Sequence, residues 1–133
     1  DSTSPDGFRI LGRVRDELGH LEEAVEAYRK ALILDNHDAW SMNNLGVVLI
    51  KQDRGYEAVG PLALATELEP DVPLFHNNLG MALEHTGRFR EAAAAYQGAL
   101  AADLDVAGRE DEADRRRRLR SGGLGHAASV PGP

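Results

Sequence analysis

A Leu-Gly pair recurs at Leu11–Gly12, Leu45–Gly46 and Leu79–Gly80, with a spacing of 34 residues both times. Alanine follows twelve residues after each glycine, at Ala24, Ala58 and Ala92. Four residues later stands a large apolar side chain (Tyr28, Leu62, Tyr96), and three further on another alanine (Ala31, Ala65, Ala99). Five columns thus keep register through three copies without an insertion. A fixed period of this size confines a chain to stacked supersecondary units, each burying its apolar face against the next.

The spacing within one copy is helical. Phe8, Leu11 and Gly12 lie at i, i+3 and i+4, on one face of a first helix, and Ala24, Tyr28 and Ala31 share a face of a second. Small residues belong where two helices approach closely, and large ones fill the space between. Gly19-His20 and Gly87-Arg88 mark turns within a copy, where glycine ends a helix in a left-handed conformation. Asp53 holds that column in the middle copy and is expected to cap the following helix instead. Glu69-Pro70-Asp71 is a helix stop between copies.

The pattern predicts helices near 6–18, 22–34, 39–52, 55–68, 73–86 and 89–102, and a seventh near 107–120 as a capping helix. The corresponding division is an N-terminal extension at 1–4, repeats at 5–38, 39–72 and 73–106, the capping helix, and a flexible tail at 121–133. Pro61 falls inside the helix expected at 55–68, where it removes the bond to residue 57 and predicts a kink.

The 34-residue period with Leu-Gly, Ala, Tyr and Ala in register resembles the tetratricopeptide repeat family over roughly residues 5–106. The resemblance implies an all-α fold of about seven helices, in which antiparallel pairs stack into a right-handed α-solenoid. It also implies that the first helix of each pair lines a concave groove. There are departures from the family pattern. Arg15 stands where the family prefers tyrosine, and Asn36 and Leu104 stand where Pro70 sits in the second copy.

Charge narrows the partners. Residues 5–106 carry nine Lys/Arg and seventeen Asp/Glu, so this stretch is near −8, within a net charge of −7 for the chain. That balance argues against nucleic acid or an anionic membrane as the main partner. No apolar run reaches the roughly 18 residues of a membrane span, and no signal peptide is visible. There is no cysteine, which fits a cytoplasmic location and excludes disulfides and thiolate metal sites. The chain opens at Asp1 rather than a methionine, which fits a processed product or a segment of something longer.

Carried over from the family, the concave columns are Arg9 and Arg13 in the first copy and Trp40, Asn43, Asn44, Val47 and Lys51 in the second. The third contributes Leu74, Asn77, Asn78, Met81 and His85. Asn-Asn-Leu-Gly occurs at both 43–46 and 77–80. An amide offers a donor and an acceptor and can grip a partner's main chain whatever its side chains. The alternative is a solvated polar face. The dicarboxylate clamp of cochaperone repeats is matched by Arg9 and Asn44, but Arg13 replaces an expected Asn, and Leu74 and Asn78 stand where basic residues are required. Trp40, Val47, Leu74 and Met81 form an apolar strip for a partner's side chains, unless Trp40 packs between repeats as core.

The run Arg115-Arg116-Arg117-Arg118 with Arg120 follows four acids, and the pairs Asp111–Arg115, Glu112–Arg116 and Asp114–Arg118 fall at i,i+4. With no aromatic interleaved for base stacking, this is a solvated helix rather than a nucleic-acid site. The five histidines show no metal-ligand spacing, and neither phosphate loops nor nucleophile elbows occur. The sequence therefore predicts a non-enzymatic scaffold without cofactor or metal that holds a protein or peptide. Two other readings are a substrate-recruiting arm of a larger enzyme, like the repeat arms of glycosyltransferases, and weak self-association through thinly capped ends.

Overall fold

The computed structural model describes residues 4–128, with side chains through residue 122. Six helices follow in order: α1 (Pro5–Glu17), α2 (Leu21–Leu34), α3 (Ala39–Lys51), α4 (Gly55–Leu68), α5 (Pro73–His85) and α6 (Phe89–Ala128). Consecutive helices form pairs α1·α2, α3·α4 and α5·α6, and the pairs stack through α2·α3 and α4·α5.

The glycine and large-residue columns are the two halves of one contact. A Cβ built on Gly12 would lie 2.6 Å from the Tyr28 ring, one on Gly46 2.4 Å from Leu62 Cγ, and one on Gly80 2.6 Å from the Tyr96 ring. Each pair therefore closes by seating a side chain of its second helix on bare backbone of its first. The alanines Ala24, Ala31, Ala58, Ala65, Ala92 and Ala99 are buried around these contacts. The main cluster runs through Val25, Tyr28, Val48, Leu49, Ala58 and Leu62, and a second gathers Ala39, Met42, Ala65 and Phe75 where the middle and last pairs meet.

The caps follow local chemistry. The Ser4 side chain accepts from the Gly7 N–H at 2.9 Å, with Pro5 at the first helical position. The Asp38 carboxylate accepts from the Ser41 N–H at 3.1 Å and the Ser41 hydroxyl at 2.5 Å. Asp53 is not a cap. Arg54 holds the N-cap position without a side-chain capping bond, and Asp53 has φ 59°, matching Gly19 at 79° and Gly87 at 77°. The turn geometry imposes a left-handed residue on that column, and an L side chain there costs roughly 1–2 kcal/mol, partly offset by glycine's greater chain entropy when unfolded. Asp53→Gly is accordingly expected to raise the unfolding free energy by about 0.5 kcal/mol, and Gly87→Ala to lower it by about 1 kcal/mol, both read by chemical denaturation.

Two expectations need correction at the C-terminal end. The seventh helix at 107–120 is not separate, because α6 runs unbroken from Phe89 to Ala128. Residues 103–107 (Asp-Leu-Asp-Val-Ala) contain no breaker comparable to Pro70, and Gly108 alone costs only about 1 kcal/mol, so the helix continues. The tail expected to be flexible is helical as far as 128, and 129–133 lie outside the described residues. Of the three i,i+4 pairs, Glu112–Arg116 forms at 2.6 Å and Asp114–Arg118 also forms. Pro61 does not end α4, which runs on to Leu68.

Candidate functional site

The first helices of the three pairs are held side by side by polar ties spaced close to one repeat period. The Arg9 guanidinium donates to Asp38 at 3.1 Å and to Asp6 at 2.9 Å, so it braces the N-cap of α3. Lys51 Nζ donates to both Asp16 carboxylate oxygens, at 2.9 and 3.1 Å. The Asn78 amide donates to Asn43 Oδ1 at 2.7 Å, and Asn43 Nδ2 donates to Asn44 Oδ1 at 3.2 Å. These ties line α1, α3 and α5 into one surface.

Two adjoining recesses open on that surface. One, of about 390 Å³, is lined by Arg9, Ile10, Arg13, Trp40 and Asn44. The next, of about 330 Å³, shares Arg13 and Asn44 and adds Asp16, Tyr28, Asn43, Val47, Leu74 and Asn78. Arg13 is exposed and makes no ion pair among the described residues. The Tyr28 phenol has its pKa pushed up to about 12, first by burial and then by the Asp16 carboxylate, with Arg13 and the nearby Asn44 amide opposing.

The sequence-predicted residues separate into three groups. Arg9, Arg13, Trp40, Asn44, Val47 and Leu74 face the recesses with accessible surface. Trp40 belongs to both of its alternatives. It is 42% exposed on the recess side, and its ring meets Phe75 edge to face at 4.8 Å between centroids. Asn43 and Asn78 are buried, 2% and 8% exposed, and their amides are spent on each other across the repeat junction. The third group comprises Asn77, Met81 and His85, which are exposed and line neither recess, and Lys51, whose ammonium is held by Asp16.

Asn77 instead faces a separate recess of about 410 Å³ against α6, with Pro73, Tyr96, Ala99, Leu100 and Asp103. Ile10, Asp16 and the core residue Tyr28 also line the recesses and are not among the sequence-predicted site residues. The signal that could have found Asp16 is its offset of 35 residues from a lysine on the neighbouring first helix. Among the described residues no group of three or more His, Cys, Asp or Glu could hold a metal ion, and no helix is long and apolar enough to cross a membrane.

Antiparallel helix pairs repeating every 34 residues, with glycine and large-residue columns closing each pair, define a helical-repeat solenoid. The chain belongs to the tetratricopeptide repeat family. Family models described as TPR repeat and tetratricopeptide repeat match residues 12–53 and 57–105. A cytochrome c-type biogenesis protein, CycH, from Bradyrhizobium diazoefficiens is 30% identical over 98 residues, which is 71% of this chain and 27% of that protein. The chain thus spans about a quarter of this relative.

Among solved structures, the fold is similar to that of MamA, with a TM-score of 0.76 and 23% identity over 81% of this chain and 63% of that one. It is also similar to the second TPR of Spaghetti (RPAP3) bound to the HSP90 peptide SRMEEVD. There the TM-score is 0.71 at 21% identity, over 73% of this chain and 90% of that one.

Proposed function

We propose that this protein is a non-catalytic interaction scaffold that holds an extended peptide segment along the surface of α1, α3 and α5. The observation that carries the reading is the pair of adjoining recesses. They set a guanidinium with no ion pair among the described residues, Arg13, beside the Asn44 amide and the open face of Trp40. Arg13 supplies charge for a carboxylate, Asn44 supplies a main-chain donor and acceptor, and Trp40 with Val47 and Leu74 supplies apolar area for alternate side chains. The fold-level neighbour captured with the peptide SRMEEVD supports a peptide as the ligand class.

A two-carboxylate clamp of the cochaperone kind fits less well. Leu74 and Asn78 occupy the positions of its basic residues, Asn78 is buried, and Arg9 is committed to Asp6 and Asp38. The favoured ligand is a peptide with one carboxylate seated at Arg13 and its main chain crossing Asn44.

Trp40 is the only tryptophan, so its emission reports occupancy of the recess directly. Peptides selected from a random library on the immobilised chain should shift that emission. Arg13→Ala and Asn44→Ala should each weaken binding about tenfold, roughly 1.4 kcal/mol, with helicity unchanged. Selected peptides that bind wild type and both variants alike would place the site elsewhere.

A further inference from the structure

We propose that copies of this chain stack head to tail, with the outer face of α6 in one copy covered by the outer face of α1 in the next. The inference rests on the repeat register, and of the residues it uses Ile10 also lines the first recess.

Each internal junction pairs the second helix of one repeat with the first helix of the following repeat. On the first-helix side, the junction column holds Val48 in α3 and Ala82 in α5, both 0% exposed. Its counterpart in α1 is Val14, which is 43% exposed. On the second-helix side, one column holds Leu32, partly buried, and Thr66, 9% exposed; its counterpart in α6 is Leu100, 62% exposed. Gly55, another junction residue, is so close to α5 that an added Cβ would lie 2.8 Å from His85 Cβ, and its counterpart Phe89 is exposed. Each end of the described solenoid is therefore one uncovered half of a contact the chain already makes twice.

The chemistry of the ends favours this occupant. Terminal repeats that face water carry polar outer faces. Here α1 and its C-cap instead present Ile10, Val14 and Leu18 at i, i+4 and i+8, all exposed. The internal first helices carry Asn44 and Gln52, or Asn78 and Thr86, in the columns of Ile10 and Leu18. The α1 face is thus more apolar than the faces the chain does bury, while α6 offers Phe89, Ala93 and Leu100 opposite. Two different surfaces that match each other, rather than themselves, give a heterologous contact that propagates into rings or filaments.

Sedimentation equilibrium over a wide concentration range tests this with wild type and two variants, Val14→Glu and Leu100→Glu. Both side chains are exposed, and circular dichroism confirms that each variant folds. The expected result is a wild-type mass that climbs with concentration past two chains, and single-chain mass for each variant alone. An equimolar mixture of the variants should form a dimer that grows no further, because each supplies the face the other lacks. A wild-type mass of one chain at every concentration would overturn the proposal. Wild-type assembly with no dimer in the mixture would overturn it equally, since the contact would then not join these two faces. A variant that still associates on its own would overturn it by showing that like faces pair.

Discussion

Replacing Phe75 with alanine is expected to lower the unfolding free energy by about 4 kcal/mol. The ring is 0% exposed at the first turn of α5, enclosed with Ala39, Met42 and Ala65, and braced edge to face by Trp40 at 4.8 Å between centroids. Truncation removes the ring's transfer free energy and leaves a cavity walled by two alanines that cannot swing in to fill it. The position matters as much as the size. Phe75 sits where the middle and last pairs meet, and a repeat array is held together by the sum of such nearest-neighbour junctions. With only three repeats, 4 kcal/mol is a large share of the roughly 5–15 kcal/mol typical of a domain.

The loss should therefore appear as decoupling as well as a lower midpoint. Amides of α5 and of α6 up to about residue 102 are expected to exchange well before those of α1–α4 in Phe75→Ala, whereas wild type protects the three pairs more evenly. Hydrogen exchange by mass spectrometry reads this, and uniform loss of protection would show that the junction does not set the cooperativity. Trp40 emission should shift red in the same variant as the indole loses its partner.

Phe75 also marks where sequence reasoning stopped. Columns present in all three copies were legible, because glycine, alanine and a large apolar residue at fixed offsets have one helical explanation. Phe75 shares its column with Gly7 and Ser41, so no periodic signal points to it. Ser41 is equally buried there and uses its hydroxyl on Asp38, so one column carries two unrelated solutions. The two Asn-Asn-Leu-Gly copies misled in the opposite direction. They look equivalent, yet Asn43 and Asn78 are buried against each other while Asn77 is exposed. Burial of a side chain on a solenoid depends on the next repeat, and that relation crosses columns: position 43 in one copy meets position 78 in the next. The continuity of α6 between residue 102 and the helix expected at 107–120 was missed because the repeat period demanded a break where the local sequence supplies no helix breaker.

The periodic columns carry a second large and more diagnostic expectation, at Gly46. Gly46→Ala should cost about 2 kcal/mol net, although alanine is favoured over glycine by about 1 kcal/mol in a helix interior. An added Cβ would meet Leu62 Cγ at 2.4 Å and its two Cδ atoms at 2.8 and 2.9 Å, so the obstruction is the branch point of a fully buried side chain. Gly80→Ala should cost less, because the Tyr96 ring it meets at 2.6 Å is only partly buried and can slide outward. Leu62→Ala alone should cost about 3 kcal/mol through cavity formation.

The sign of the Gly46 substitution should then reverse in the Leu62→Ala background. With the branch removed, the clash is gone and helix propensity remains, so Gly46→Ala becomes stabilising by about 1 kcal/mol. The resulting coupling of about 3 kcal/mol lies at the upper end for side chains in direct contact. Urea denaturation of the four proteins measures it. Additive costs would mean that glycine is there for backbone freedom alone. A reversal would mean that it makes room for a side chain sixteen residues away, which is the contact the sequence repeats three times.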